Sequence, residues 1–368
     1  MISCDTLVAG AGPAGALAGL ELARKGFSVV IADGSDTACL KRTFRVAREG
    51  RARVPHKIGE SLPGIGLRLL RSLGVDVSDF GTTHTPVGGN LACWASDELD
   101  ATDFLLDPDG PGWRLSRRRF DATLLSAAIK AGAQFVSDNL DAVERDREHW
   151  NCRLKSGEIV ESRWLVDATG RSCAVARRLG IRRVRDEGLI ALWMLGSPSP
   201  GERLERTLIE AVPEGWWYGA VLPDGQAILA LHVRPREARV ARRDWLDALG
   251  RTSFIQRFFP PDGFGEGLSV ADAGCACLER FHDPNWIACG DAAMSFDPLS
   301  SQGIYNAMYS GLSAARAILA TDGGDEAALA NYADGLARIR TVYQARLAYY
   351  YALVKRWPDA PFWENRGR

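Results

Sequence analysis

Three glycines near the start carry the most legible chemistry in this sequence, in the run Gly10-Ala11-Gly12-Pro13-Ala14-Gly15. At this spacing the first glycine makes a tight turn, the second lets backbone approach a pyrophosphate, and the third lets a helix lie close against a strand. The unpaired N–H groups of that helix's first turn then face the phosphates. Asp33, eighteen residues after Gly15, stands where a carboxylate accepts both ribose hydroxyls, and its charge disfavours a 2′-phosphate. The chemistry is dinucleotide binding, a task shared by NAD and FAD proteins, so other residues must choose between them.

Candidates for proton transfer are fewer. His56 and His84 flank the segment containing Glu60, and an imidazole, which titrates near neutrality, can act as a base or bond a substrate hydroxyl. The alternative for both histidines is a turn or surface position. For Glu60 it is an acid at the N-terminus of the helix that LPGIGLRLLRSLG predicts. Trp216, Trp217 and Tyr218 offer rings to wall an aromatic site, or they serve as sheet packing. His232 alternates with Leu231 and Val233, so it faces opposite them, toward pocket or solvent. Cys275 and Cys277 are two apart, on one face of a strand, which is poor disulfide geometry. No metal site is expected.

The elements that position these groups follow from pattern. Residues 4–33 read as a buried strand, the glycine turn, an alanine-rich helix, a second strand and the terminal acid. RWLVDATGR at 163–171 is a strand running into Ala168-Thr169-Gly170, a small-residue turn able to pack beside the first glycine loop. Residues 285–319 give a strand, a Gly290-Asp291 turn, a loop with Pro298 and a helix from about Gly303. That helix carries Ala307, Gly311, Ala314 and Ile318 on one face, so it can pack closely.

Together GAGPAG, DATGR and GDAAMSFDPLSSQGI resemble the FAD-containing aromatic hydroxylases of the glutathione-reductase-like flavoprotein superfamily. The segment Lys57-Ile58-Gly59-Glu60-Ser61-Leu62-Pro63 and the run from Gly112 to Asp121 are similar to the flavin-dependent halogenase branch and its hydroxylase relatives. The resemblance implies that FAD is held by Gly10, Gly12, Ala14, Gly15, Asp33, Gly170 and the Pro298 loop. It places Asp291 on the ribityl chain or pyrophosphate, Arg117 on the substrate-domain side, and Gln302 and Gly303 near the flavin pyrimidine. It also sets the Glu60 loop against the flavin. A helix N-terminus near the pyrimidine stabilises the charge of reduced flavin. The implied activity is monooxygenation of an electron-rich aromatic through a flavin C4a-hydroperoxide, with O2 as co-substrate.

No second glycine fingerprint stands between a strand and a helix, so electrons come from transiently bound NAD(P)H or a separate flavin reductase. Halogenases of this branch use a lysine after the Gly-Glu segment and a Trp-x-Trp-x-Ile-Pro stretch. This chain has no lysine between Lys57 and Lys130, and Gly215-Trp216-Trp217-Tyr218 is a degenerate match. Hydroxylation of an indole or phenol is favoured, sharpened to a peptide-borne tryptophan by similarity to flavoproteins that mature tryptophylquinone cofactors. Halogenation, a non-catalytic FAD-holding assembly role and double-bond reduction stay open as alternatives.

Composition narrows the class. With 368 residues, 46% hydrophobic and 25% charged, the chain reads as globular with a sizeable core. A net charge of -1 argues against nonspecific nucleic-acid binding. Eight cysteines without CxxC spacing, and no signal or membrane segment, point to the cytoplasm. Two arginine runs, Arg177 to Arg185 and Arg234 to Arg243, read as solvated faces or as a contact for an acidic partner protein. The aromatics from Tyr343 to Trp363 read as packing on the FAD domain, a docking surface or a lid.

The expected fold is α/β: a glutathione-reductase-like FAD-binding Rossmann domain with an inserted antiparallel-sheet substrate domain and a C-terminal helical segment. The FAD domain takes 1–82, 112–182 and 275–325. The substrate domain takes 83–111 and 183–274, and the helical segment 326–368, broken at Pro358.

Overall fold

A central parallel strand is buried on both faces, and the opening strand Ile2–Ala9 becomes so over its second half, Thr6-Leu7-Val8-Ala9. It pairs in parallel with Val29–Ala32 on one side and Ile159–Asp167 on the other. Trp286–Ala288 and Gln134–Val136 extend the parallel sheet outward. An antiparallel hairpin, Leu140–Asp146 with His149–Leu154, leans on the first half of Ile159–Asp167. The computed structural model describes residues 1–34, 56–104, 106–146, 148–201, 204–265, 267–364 and 366. Cys39 lies outside them.

Glycine-loop helix Pro13–Arg24 begins with Gly12 as cap and Pro13 in its first turn, where the missing N–H costs nothing. Its close neighbour is the long helix Gly303–Asp322. A Cβ on Gly311 would stand 2.1 Å from the Ala14 carbonyl oxygen, so the two backbones touch because that position has no side chain. The final helix, Ala328–Ala352, is tied to the sheet by Tyr332, whose hydroxyl donates to the Ala288 carbonyl at 2.7 Å. It stops six residues short of Pro358, so that proline does not terminate it.

The second large sheet has seven strands in the spatial order Ser269–Asp272, Ile190–Gly196, Ala227–Val233, Gly215–Val221, Thr207–Val212, Gly89–Cys93 and Asp100–Asp103. It is mixed, not purely antiparallel, because Gly89–Cys93 runs parallel to Thr207–Val212. These two strands belong to distant chain segments with no hairpin between them, so no short turn fixes their direction.

Alternation along each strand gives the sheet two unlike faces. Leu192, Trp217, Leu229 and Leu231 pack beneath Trp245, Leu249 and Phe259 from a layer of short helices. The other face turns Ala191, Trp216, Tyr218, Ala230 and His232 toward the glycine-loop half of the chain and the C-terminal aromatics. Trp217 is therefore corrected from the expected pocket set: as a strand neighbour of Trp216 it must point the opposite way. The C-terminal aromatics are also corrected in part. Tyr351, Phe362 and Trp363 bury themselves against Trp216 of the second sheet and Trp94 just beyond strand Gly89–Cys93, whereas Tyr349 and Tyr350 stay exposed.

Among the described residues all seven cysteines are unbridged, and no three His, Cys, Asp or Glu side chains are grouped to hold a metal ion. No helix of the described residues is long and apolar enough to cross a membrane.

Candidate functional site

Where the glycine loop, the Ala168-Thr169-Gly170 turn and the Gly290-Asp291 turn converge, a cavity of about 420 Å³ opens and runs on to the inner face of the second sheet. The glycines are placed by contact. Gly10 has φ +108°, and a Cβ there would meet the Ala168 carbonyl at 2.3 Å; one on Gly15 would meet the Gly10 carbonyl at 1.9 Å. At Gly12 an added Cβ meets nothing within 4 Å, because that position borders the cavity itself. The backbone at Gly12 is thus open to the cavity, with the N-terminus of helix Pro13–Arg24 opening onto it.

Two carboxylates hold the turns. Asp33 Oδ2 accepts from the Ala11 N–H at 2.8 Å, fixing the acid beside the glycine loop. Asp167, fully buried, accepts from the Thr169 N–H at 3.1 Å, the Thr169 hydroxyl at 2.6 Å and the Ala176 N–H at 2.8 Å. That set of bonds explains the Asp-Ala-Thr-Gly sequence: the aspartate ends its strand and orders both the turn and the helix that follows.

Gly10, Gly12, Ala14, Asp33, Arg117, Gly170, Asp291, Pro298 and Gly303 all border the cavity. Gly15 lies beneath Gly10, and Gln302 is exposed at the start of helix Gly303–Asp322; neither borders it. Arg171, absent from the residues expected at the site, ties the far wall together by donating to the carbonyls of Gly274 at 2.7 Å and Phe296 at 2.8 Å, with Asp291 3.5 Å away. Its one local signal is its place directly after the Gly170 turn. Arg117 donates to the Ile58 and Gly59 carbonyls and pairs with Asp121, which fixes the Glu60 segment as a wall.

Glu60 is buried in a polar network. Its Oε1 accepts from the Tyr218 hydroxyl, its Oε2 accepts from the Gly59 N–H at 3.0 Å, and Arg114 lies 3.5 Å away. Arg114 also donates to Ser61 Oγ at 2.7 Å and Thr207 Oγ1 at 2.8 Å, joining a small three-stranded sheet that holds Ser61 and Arg114 to the seven-stranded one. Burial pushes the Tyr218 phenol above its ordinary range, so it stays a donor to Glu60. Arg114 escapes a sequence reading because nothing in a short Gly-Trp-Arg strand announces a buried guanidinium; only the cross-sheet partners reveal it.

His84 is corrected. It does not border the cavity; its Nδ1 accepts from the Ser116 N–H at 3.1 Å and its ring sits edge-on to Phe80, 4.3 Å between centroids. Burial holds its pKa down to about 4, which suits a core histidine that stays neutral. His232 does border the cavity, stacked on Trp216 at 3.7 Å with 10° between planes, while Trp216 lies behind it. The Trp216 indole N–H donates to the Tyr351 hydroxyl at 3.0 Å, and Tyr351 donates to Asp297 Oδ2 at 2.8 Å. Burial raises the Asp297 carboxyl. One polar chain thus links the loop before helix Gly303–Asp322 to the sheet's inner face.

Much of each arginine run bonds within the molecule. Arg183 donates to the Arg171 carbonyl and to Ser295 Oγ, Arg178 to the Asp141 carbonyl, and Arg234 pairs with Glu187 at 2.9 Å.

Comparison with known proteins accords with this geometry. Residues 3–342 match the family described as FAD binding domain. The chain is 30% identical to a putative FAD-dependent oxidoreductase, LodB, of Marinomonas mediterranea, over 100% of this chain and 97% of that protein. Among solved structures it is similar to the flavin-dependent halogenase CmlS, with a TM-score of 0.85 and 25% identity, covering 100% of this chain and 68% of that one. It shares its fold with QhpG, a peptidyl tryptophan dihydroxylase essential for tryptophylquinone cofactor biogenesis, at a TM-score of 0.76 and 22% identity. That likeness covers 99% of this chain and 78% of the other.

Proposed function

This chain belongs to the FAD binding domain family, and from that premise we propose an FAD-dependent monooxygenase that hydroxylates an electron-rich aromatic, an indole or a phenol. Its sharper form takes a tryptophan within a peptide or protein, in line with the fold shared with a peptidyl tryptophan dihydroxylase.

Reduced FAD, when bound, supplies the oxygen-activating chemistry from O2. This chain's residues supply the rest. Gly10, Gly12 and the N-terminus of helix Pro13–Arg24 would hold the pyrophosphate, Asp33 the ribose, and Asp291 beside Arg171 the polar chain between the phosphates and the ring. The Glu60–Tyr218–Arg114 network closes one wall against water and presents no unpaired charge to the ring. Glu60 acts as a positioning residue, because both of its oxygens already accept hydrogen bonds from protein groups.

The observation that favours hydroxylation over halogenation is the cavity's cation inventory. Among the described residues lining it the one lysine is Lys57, and its ammonium sits 2.6 Å from Asp121. Lys57 precedes the Gly59-Glu60 pair, whereas the lysine expected of a halogenase follows it. The likeness to CmlS keeps halogenation as the second reading.

The test is direct. Flavin-loaded protein, reduced by NAD(P)H or by a separate flavin reductase, is exposed to oxygen with indoles, phenols and tryptophan-containing peptides, each with and without bromide. Mass spectrometry showing a gain of one oxygen supports the proposal. A halogenated product supports the second reading, and peroxide release with every aromatic unchanged overturns both. An acidic protein substrate would have the exposed Arg239 to meet, flanked by Arg236 and Arg243, which pair with Glu237 and Asp244, so salt sensitivity confined to protein substrates would support that partner class.

A further inference from the structure

We infer that His232 is the specificity-determining acceptor of the cavity, its Nε2 taking a hydrogen bond from the ring N–H or O–H of the aromatic substrate. The inference rests on the aromatic-monooxygenase reading and deepens it, by stating which part of the ring system is read and by what.

The sheet's inner face is unusual around this residue. Ala191 stands directly opposite His232 in register, Ala230 shares its face two residues away, and Ala271 is paired with Ala191 on the next strand. All three border the cavity. Three methyl groups where a strand normally carries branched or aromatic side chains leave a low, apolar floor. His232 is the polar group set into that floor and is almost wholly buried, with 2% of its surface accessible.

Its hydrogen-bonding sense follows from its partners. Nδ1 lies 3.4 Å from the carbonyl oxygen of Trp216, which can only accept, so Nδ1 carries the proton. Burial lowers the pKa of the ring to about 3, so it is neutral at working pH. A neutral imidazole protonated at Nδ1 presents a lone pair at Nε2. Nε2 makes no hydrogen bond to a described residue, and it is not sealed from the cavity in the way the partnerless Nε2 of His56 is sealed.

The other polar groups along this stretch are committed. Glu60 accepts from Tyr218, Lys57 pairs with Asp121, and Arg117 donates to backbone carbonyls. An acceptor fixed in an apolar floor discriminates by leaving itself unpaired when the ligand has no donor.

Position is fixed as well as tautomer. The ring lies flat on Trp216, Trp216 is held by Tyr351, and Tyr351 is held by Asp297 in the loop that borders the FAD cradle. The acceptor is thereby referenced to the cofactor cradle through side chains only. A substrate donor on Nε2 would set the angular position of its ring relative to that cradle.

The test uses flavin-loaded protein titrated with indole and with benzofuran, which has the same fused-ring size and no donor, read by the perturbation of the flavin absorbance. Indole is expected to bind about tenfold tighter than benzofuran, the scale of one hydrogen bond to a buried acceptor. In His232→Phe, which keeps a flat ring on Trp216, the two affinities should converge. His232→Gln, whose side-chain oxygen can accept, should restore part of the preference. Equal affinities in the wild type, or an undiminished preference in His232→Phe, overturn the role of His232 and leave the hydroxylase reading standing. Failure of both rings, and of N-acetyltryptophan amide, to perturb the wild-type flavin overturns the aromatic-substrate reading together with it. The wild-type comparison needs no variant to fold.

Discussion

Replacing His232 with phenylalanine should flatten the acid side of the protein's thermal stability profile. In the folded chain burial lowers this imidazole to about 3, with Arg366 adding a smaller push in the same direction, whereas in an unfolded chain it titrates near 6.5. Between those values the unfolded state binds a proton that the folded state refuses. The stability due to the neutral ring is therefore complete above about pH 6.5 and is lost as pH falls toward 3. For one such group the loss between pH 7 and pH 5 is about 2 kcal/mol. With roughly 2.1 cal/mol/K of unfolding entropy per residue, a chain of 368 residues converts that loss into about 2–3 °C of Tm. Phenylalanine keeps the stack on Trp216 and gives up only a long contact of 3.4 Å to the Trp216 carbonyl. The assay is thermal unfolding of flavin-loaded wild type and His232→Phe at pH 7 and pH 5, at constant ionic strength. His84, held down to about 4, acts in the same direction, while the raised carboxyls of Asp167 and Asp297 favour folding as pH falls. All three are common to both proteins and cancel in the difference. Wild type should lose about 2–3 °C more than the variant on acidification; equal losses would refute the claim that a neutral, buried His232 is built into the fold.

Three further outcomes follow from buried contacts of the fold. Tyr351→Phe leaves Asp297 Oδ2 and the Trp216 indole N–H without their partner, so a destabilisation of about 2–5 kcal/mol is expected in thermal unfolding, and an unchanged Tm would contradict it. Gly311→Ala forces apart two helices whose backbones touch at Ala14, costing about 1–3 kcal/mol or more, whereas Gly12→Ala places its methyl in the open cradle. The first should lower Tm and the second should leave Tm near wild type while lowering the ratio of flavin to protein absorbance; the reverse pattern would dissociate the cradle from the cofactor. Glu210 is buried and accepts from the Phe254 N–H at 2.9 Å and the Ile255 N–H at 2.8 Å as well as from Ser253. Glu210→Ala should therefore lower stability by about 2–5 kcal/mol without changing flavin content, and loss of flavin at unchanged Tm would count against a purely structural role.

Legibility from the sequence is uneven for physical reasons. The glycine loop, its strand and helix, and Asp33 are readable because each depends on neighbours within about thirty residues, and a missing side chain or a chain-reversing φ is written in the residue type. The Asp-Ala-Thr-Gly turn is readable in the same way, its aspartate bonding atoms two and nine residues ahead. Strand alternation is equally local, and by itself it puts Trp217 and Trp216 on opposite faces of their sheet. The side of His232 is a different matter. Alternation says that it opposes Leu231 and Val233, but both faces of this sheet are covered, one by short helices and one by the cavity. Nothing local distinguishes the two coverings.

His84 and Arg114 show where local reading ends. A histidine near a glutamate in sequence looks like chemistry, yet His84 faces Phe80 and Phe120 because a short helix turns it into the core. Arg114 sits on a three-residue strand, and its function is to meet Glu60, Ser61, Tyr218 and Thr207 from three separate segments.

By itself, then, the amino-acid sequence determined a dinucleotide cradle, its acid and the order of strands and helices that build it. These are set by backbone geometry over short distances, where glycine, proline and the period of apolar residues act directly. Tertiary structure alone decided the sheet side of the cavity: the alanine floor, the face on which His232 lies, and the chain from Asp297 through Tyr351 and Trp216. Within that chain Trp216 and Tyr351 alone stand 135 residues apart, and the positions of all these groups depend on how two sheets and a terminal helix pack. Packing is the sum of many weak contacts with no single local signature, and only the folded chain displays its result.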